Sequence, residues 1–246
     1  MGGWVLSVVV GAAPSLFLLS VFYLKDRYER EPLKHILTAF GLGLYAMVAA
    51  RGLGAIVAGF VSPEWLMLGG EPARLFEAFV LSGLIEETSK WVILLTAVYS
   101  WDEFDEPLDG VVYGVAIALG FATLENILYV ARLGLGIAWG RALFAVPAHA
   151  LFGGVMGYYA GRSKFDHGAP LWIDRALCFL APITFHGLYN YALHHRLDMR
   201  VWIVVTLLSA GLWVFVLRRV HKAQYASPFR PNRTMPPPPR RGPPAS

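Results

Sequence analysis

The chain has 246 residues, of which 56% are hydrophobic and 15% are charged, and its mean hydropathy is +0.51. Soluble domains are about 45–50% apolar and roughly 25% charged. This composition excludes an ordinary soluble globular protein and predicts a multi-pass protein of the cell membrane. The single cysteine, Cys178, excludes an intramolecular disulfide.

Seven apolar stretches are long enough to cross a bilayer, since a membrane-spanning helix needs about 20 apolar residues. The predicted spans are residues 4–24, 35–60, 75–99, 109–131, 141–161, 172–195 and 201–217. The first is interpreted as a true span rather than a signal peptide, because no basic residue precedes it and the charged segment KDRYEREP follows it. The sequence therefore predicts an all-α, polytopic transmembrane bundle of about seven spans.

The basic residues predict the orientation of this bundle. With the N-terminus outside, the cytosolic loops and the C-terminal tail hold 14 of the 21 lysines and arginines, and the outer loops hold 5. Because cytosolic loops are enriched in basic residues, this places the C-terminus in the cytosol. Residues 1–220 form the predicted transmembrane domain. Residues 221–246 are rich in proline and arginine, which predicts a disordered cytosolic tail.

Polar side chains within spans three to six indicate a functional site. A charge at the centre of a span costs about 2.5–3.5 kcal/mol, so these groups must pair or face an internal cavity. At about 1.5 Å per residue, Glu86 and Glu87 lie at the midplane and Glu125 lies roughly 8 Å toward the outside. His149 and His186 lie roughly 3 Å toward the outside. Four consecutive helices are therefore predicted to bring these groups into one site.

Helix periodicity predicts how these side chains are oriented. Glu86 and Lys90 are four residues apart with the acid first, which predicts an ion pair. Glu87 points about 100° away, toward another partner. Small residues at four-residue steps predict close helix packing and place His149 on a protein-facing stripe. The stripes comprise His149, Gly153, Gly157 and Gly161 on span five, Pro182, His186, Asn190 and His194 on span six, and Gly110, Gly114, Ala118, Ala122 and Asn126 on span four.

Familiar protease signatures are missing from the spans: the sequence contains no HExxH, and neither GxSG nor GxGD occurs at a suitable position. What remains is a site of carboxylates and imidazoles. Crowded carboxylates hold one proton tightly, so Glu86, Glu87, His149 and His186 could activate water, while Asn126 and Asn190 could stabilise an oxyanion. Alternatively, Glu86, Glu125, His149 and His186 could bind zinc.

Two non-proteolytic functions compete with this interpretation. A line of Glu and His residues could relay protons in a proton-coupled transporter or channel. The inverted repeats and broken helices that are typical of transporters are not evident in the sequence. A non-catalytic scaffold for membrane partners is the third alternative. No nucleic-acid partner is expected.

Four short blocks occur in order on successive spans: EETSK (86–90), FATLEN (121–126), HALFGG (149–154) and FHGLYN (185–190). Together with DRYEREP after the first span, they resemble the PrsW family of intramembrane proteases, which is related to the CAAX-prenyl endopeptidase and Abi superfamily. The resemblance implies cleavage of a membrane protein, with Glu86, Glu87 and His186 essential and His149 and Glu125 in the site.

The resemblance also implies a substrate and two mechanisms. The family's namesake activity is first-site cleavage of a single-span anti-sigma factor on its extracytoplasmic side. The family is labelled a metalloprotease family, whereas its superfamily suggests water activated by glutamate without a metal. Both mechanisms stay open at the level of sequence.

Overall fold

The computed structural model describes residues 2–165, 170–195 and 198–230. These residues form helices and connecting turns without any strand, which confirms the predicted all-α class. The α-helices are α1 (Gly2–Lys25), α2 (Leu33–Ala58), α3 (Pro63–Leu68), α4 (Gly70–Leu75), α5 (Ile85–Ile93), α6 (Pro107–Leu133), α7 (Ala138–Gly140), α8 (Val146–Phe165), α9 (Leu171–His194) and α10 (Met199–Ala226).

Wider π-helical turns join some of these helices. Phe76–Leu84 connects α4 to α5, Leu94–Val98 continues α5, and Arg141–Ala145 connects α7 to α8. A short 3₁₀ turn, Leu135–Ile137, precedes α7. π turns often occur at functional sites. They lie on both sides of α5, the helix that carries the EETSK block, which marks this helix as part of a candidate site.

Within the described part of the chain, five helices are long and apolar enough to cross a membrane: Trp4–Lys25, Leu33–Ala58, Pro107–Leu133, Leu135–Phe165 and Met199–Tyr225. The other two predicted spans correspond to the segment 76–98 and to α9. Both segments carry several charged or polar residues, among them Glu86, Glu87 and Lys90 in the first and Asp174, Arg175 and His186 in the second. The count of seven spans and the orientation stay predictions.

Helix α6 is the central element of the bundle and is buried along most of its length. It packs against α1, α2 and α8. A Cβ atom on Gly157 would overlap the carbonyl oxygen of Gly110, and one on Gly114 would overlap that of Gly153. The predicted small-residue stripes of α6 and α8 therefore face each other, which turns His149 toward the protein interior.

The C-terminal helix α10 continues to Ala226, so residues 221–226 of the predicted tail are helical. Ser227 is buried and donates a hydrogen bond to Glu106 at the start of α6. Residues 231–246, the rest of the predicted tail, lie outside the described residues. The division into a domain of residues 1–220 and a disordered tail stays a prediction.

The α6–α8 contact predicts the effect of adding one methyl group. We expect Gly157→Ala to lower the free energy of unfolding by about 1–3 kcal/mol, because the new Cβ atom forces the two backbones apart. Gly52→Ala is the matched control, since a Cβ atom there has open space around it. Thermal unfolding in detergent measures both variants, and equal transition temperatures would contradict this packing.

Candidate active site

The site is built around a close approach between the segment 76–93 and α9. A Cβ atom on Gly83 would lie 2.9 Å from the carbonyl oxygen of Ile183, and one on Gly187 would overlap the ring of Phe79. Glycine at both positions lets the two helices pack almost backbone to backbone. This approach brings the glutamates of α5 within reach of His186, the neighbour of Gly187.

Glu87 is completely buried between these helices. Its Oε1 atom accepts a hydrogen bond from Nζ of Lys90 at 2.6 Å and lies 2.7 Å from Nδ1 of His186. The predicted pairing of Glu86 with Lys90 is therefore wrong. Residues three and four apart on a helix are both neighbours, and the inward position of Glu87 makes it the partner of the buried lysine.

Lys90 is only 1% exposed although it carries an ammonium group. Besides Glu87, its Nζ atom contacts Nδ1 of His149 at 3.0 Å and lies 4.1 Å from the ring centroid of Phe121. An ion pair, a hydrogen bond and a cation–π contact together compensate for its loss of hydration. Lys90 thus connects α5 to α6 and α8.

His149 has a partner on each ring nitrogen. Its Nε2 atom lies 3.1 Å from Oε2 of Glu125, and the same oxygen accepts a hydrogen bond from Arg141 at 2.6 Å. The ring centroids of His149 and His186 are 5.1 Å apart. The imidazoles of α8 and α9 therefore lie side by side, as the depth argument predicted.

A cavity of about 750 Å³ adjoins these imidazoles. Of the predicted site residues, it is lined by Glu86, Glu125, His149, His186 and Asn190. Glu86 is mostly buried, and its Oε2 atom accepts no hydrogen bond from the described residues. This oxygen lies 3.9 Å from Nε2 of His186, so a free acceptor faces an imidazole at the cavity wall.

The cavity extends toward one end of the bundle. Its lining includes Ala58, Leu133 and His194, which lie at the C-terminal ends of α2, α6 and α9. In the predicted orientation this end is the extracytoplasmic one. Arg51 and Glu77 also line the cavity near this end.

Three of the predicted site residues do not line the cavity: Glu87, Lys90 and Asn126. The amide of Asn126 donates to the carbonyl oxygen of Gly11 at 2.8 Å and accepts from Nε of Arg141 at 2.8 Å. Asn126 therefore orients Arg141, and its amide is not directed at a substrate.

Arg141 is a site residue that the sequence interpretation missed, because it was counted among the basic residues of an outer loop. Its guanidinium group contacts Glu125 and Asn126 and lies 4.0 Å from the ring centroid of Tyr129. The available signal was its position at the first residue of span five, at the same end of the bundle as Glu125. An acid in hydrocarbon needs a partner at its own depth.

The donor set suits a metal ion. Glu86, His149 and His186 each offer a ligand atom, and these atoms all lie within 4.8 Å of one another. Two imidazoles and a carboxylate form a donor set that zinc accepts in catalytic sites. Glu125, the fourth predicted ligand, is not in this group. Its carboxylate instead contacts Nε2 of His149, as carboxylates that orient metal-binding histidines do. Binding by His149 requires one of its two present contacts to be exchanged.

A bundle of membrane-spanning helices that shelters carboxylates and imidazoles around a cavity defines a polytopic membrane enzyme. Residues 31–217 match the PrsW family of intramembrane metalloproteases. The chain therefore belongs to the PrsW family and is an intramembrane protease of the cell membrane, which confirms the resemblance found in the sequence. This membership favours an enzyme over the transporter, channel and scaffold, and its description makes a metal plausible.

Named relatives cover most of the chain. Protease PrsW of Geobacillus kaustophilus is 40% identical over 228 residues, which is 90% of this chain and 94% of the relative. Protease PrsW of Bacillus subtilis is 39% identical, with 88% and 95% covered. Protease PrsW of Clostridioides difficile is 33% identical, with 83% and 84% covered. No solved structure gives a significant match to this fold.

The contacts of Lys90 predict a strong effect of its removal. We expect Lys90→Met to destabilise the protein by about 3–5 kcal/mol, because it leaves Glu87 buried without a cation. The double variant Glu87→Gln/Lys90→Met should regain part of this loss. Unfolding in detergent measures both, with the exposed Lys34→Met as the control. A double variant that is less stable than Lys90→Met would contradict the pairing.

Proposed function

We propose that the cavity hydrolyses a peptide bond of a membrane-protein substrate with water activated by Glu86 and His186. The observation that carries this proposal is the free Oε2 atom of Glu86, which faces Nε2 of His186 at 3.9 Å beside the cavity. A water molecule at hydrogen-bond distance from both atoms would lie to one side of the line that joins them and could donate to each. A general base must reach the proton that it removes, and this geometry supplies such a base.

The proton path follows from the two side chains. Glu86 accepts a proton from water, and the water oxygen attacks the carbonyl carbon of the scissile bond. Glu86 then delivers that proton to the amide nitrogen, the C–N bond breaks, and a carboxylic acid and an amine are released. His186 orients the water, and Glu87 holds the His186 ring through Nδ1, which leaves Nε2 directed at the cavity.

Negative charge develops on the carbonyl oxygen of the substrate during this attack. Asn190 lines the same cavity and is the proposed donor to that oxygen, whereas His149 has both ring nitrogens engaged and packs against His186. Lys90 and Glu125 contact His149 from its two ring nitrogens. In this proposal Glu87, Lys90 and Asn126 are positioning residues, because they act through the groups that reach the cavity. Glu125 lines the cavity but is also a positioning residue, because it holds His149.

Zinc is the proposed alternative means of activation, supported by the donor set of Glu86, His149 and His186. A bound zinc ion would supply Lewis acidity to the scissile carbonyl. In that scheme Glu86 is a ligand and no longer a free base. The two schemes therefore assign different roles to the same carboxylate.

The proposed substrate is a membrane protein with a single span, cut near its extracytoplasmic end. The cavity reaches the bundle end at which α2, α6 and α9 finish, and the positive-inside pattern places that end outside. A substrate helix must unwind before hydrolysis, and exposed backbone in a bilayer is tolerated only in a protein-lined or water-filled site. First-site cleavage of an anti-sigma factor, which the family resemblance implies, fits this position.

The roles of Glu86 and His186 predict large losses of activity. We expect Glu86→Gln and His186→Asn each to reduce the cleavage rate by about 10²–10⁴-fold, because each removes one of the groups that hold and deprotonate water. Cleavage of single-span peptides by the purified protein, followed by mass spectrometry, measures the rate. Glu64→Gln is the control, because Glu64 is exposed and away from the cavity. Cleavage at the full rate by Glu86→Gln would refute the proposal.

Metal removal separates the two schemes. Because both ring nitrogens of His149 already have partners, we expect cleavage to persist after dialysis against a strong chelator. Metal content and cleavage rate are measured on the same sample. Loss of cleavage with the metal, and its recovery on adding zinc, would instead establish zinc held by Glu86, His149 and His186.

A further inference from the structure

Three buried carboxylates form a second acidic cluster far from the cavity. Asp26 follows α1, Glu106 is the N-cap of α6, and Asp109 lies in the first turn of α6. Each is only 1% exposed. Asp109 precedes Glu125 by 16 residues on the same helix, which corresponds to about 24 Å, so this cluster and the proposed active site are at opposite ends of the bundle.

The hydrogen bonds of this cluster leave oxygen atoms unused. Oδ2 of Asp109 accepts from the backbone N–H groups of Asp105 and Glu106, at 2.9 and 2.7 Å, whereas Oδ1 accepts nothing. Glu106 accepts from the hydroxyl of Ser227 with Oε2, and its Oε1 has no partner. Among the described residues, neither carboxylate oxygen of Asp26 has a hydrogen-bond partner of normal geometry, although the backbone N–H groups of Tyr28 and Glu31 lie close enough to lower its pKa.

The cluster has no direct ion pair with a cation among the described residues. No lysine, arginine or histidine there forms an ion pair with Asp26, Glu106 or Asp109. Arg30 is close, but its Nε atom contacts the backbone oxygen of Asp26 at 3.3 Å. Burial raises the pKa of Asp26 to about 6, although the charge of Arg30 opposes this shift, and burial raises the pKa of Glu106 to about 7.

We propose that Asp26, Glu106 and Asp109 form a site for a hard divalent cation, Mg²⁺ or Ca²⁺. One oxygen from each carboxylate lies within 4.8 Å of the other two, and each of the three residues has at least one buried oxygen that accepts no hydrogen bond from the described residues within normal hydrogen-bond geometry. A set of oxygen donors without nitrogen or sulfur selects hard cations over zinc or copper. The site is distinct from the catalytic donor set, which contains two imidazoles.

The cation would connect two segments of the chain at this end of the bundle. Asp26 belongs to the connection between α1 and α2, while Glu106 and Asp109 begin α6. Ser227, which follows α10, donates a hydrogen bond to the carboxylate of Glu106. Beside the cluster, Glu31 accepts a hydrogen bond from the hydroxyl of Tyr113. The predicted consequence is a cation-dependent stability that is separate from catalysis.

Terbium luminescence tests the site directly, since Tb³⁺ binds oxygen donors as Ca²⁺ does and is excited by nearby aromatic rings. Tyr113 adjoins the cluster, and its ring centroid is 5.2 Å from that of Trp101. The full chain is titrated in detergent with the substitution Glu86→Gln, so that the catalytic donors do not contribute. We expect a saturable signal that Asp26→Asn and Glu106→Gln abolish and that Asp102→Asn retains, because Asp102 is exposed in the same loop.

Competition and thermal unfolding complete the test. Displacement of Tb³⁺ at lower concentrations of Ca²⁺ than of Mg²⁺ assigns calcium, and the reverse order assigns magnesium. At about 100 times its dissociation constant, the cation should raise the melting temperature by about 5–10 °C. In chelator, Asp26→Asn should be at least as stable as its parent, because it removes an uncompensated charge. Equal terbium signals in all variants, or equal cation-induced shifts in the parent and Asp26→Asn, would overturn the proposal.

Discussion

The ion pair between Lys90 and Glu87 is the contact on which the arrangement of the site depends. Both groups are almost completely buried, and neither charge would be stable alone in such surroundings. Each charge also holds one imidazole: Glu87 contacts His186 and Lys90 contacts His149. This pair of charges on α5 therefore positions the histidines of α8 and α9. The same contacts stabilise the two buried charges and orient the two imidazoles.

The adjacent glutamates of α5 have different environments because successive helical residues point about 100° apart. Glu87 points toward α9 and its Oε1 atom is used by Lys90 and His186. Glu86 points to the cavity and keeps an oxygen without a hydrogen bond. The proposed reaction needs both conditions, since a base must be free to accept a proton while its neighbouring imidazole must be held still. Two consecutive carboxylates meet this need within one turn of one helix.

The sequence was sufficient to predict the class, the approximate helices and the group of polar residues that converge, because depth along a helix follows from residue number alone. It predicted the small-residue stripes of α6 and α8 for a similar reason, since glycines such as Gly110 and Gly157 mark close contacts, but it did not predict that the two stripes face each other. It did not predict the partner of Lys90, because Glu86 and Glu87 are both neighbours on the helix and only the packing of Gly83 and Gly187 selects Glu87. It missed Arg141 because charge counting assigns every basic residue near a span end to a loop.

The two ends of α6 show two different ways of burying acidic groups. At one end, Glu125 receives a hydrogen bond from Arg141 and lies against His149, so the chain supplies its own positive charge. At the other end, Asp109 shares its surroundings with Asp26 and Glu106, and the described residues supply no ion pair. At the end with the proposed active site, Arg141 belongs to the chain itself, so the positive charge beside Glu125 is present whether or not an ion is bound. No chemistry is proposed for the opposite end. An exchangeable cation bound by Asp26, Glu106 and Asp109 can therefore stabilise the contact between the α1–α2 connection and α6 without affecting the cavity.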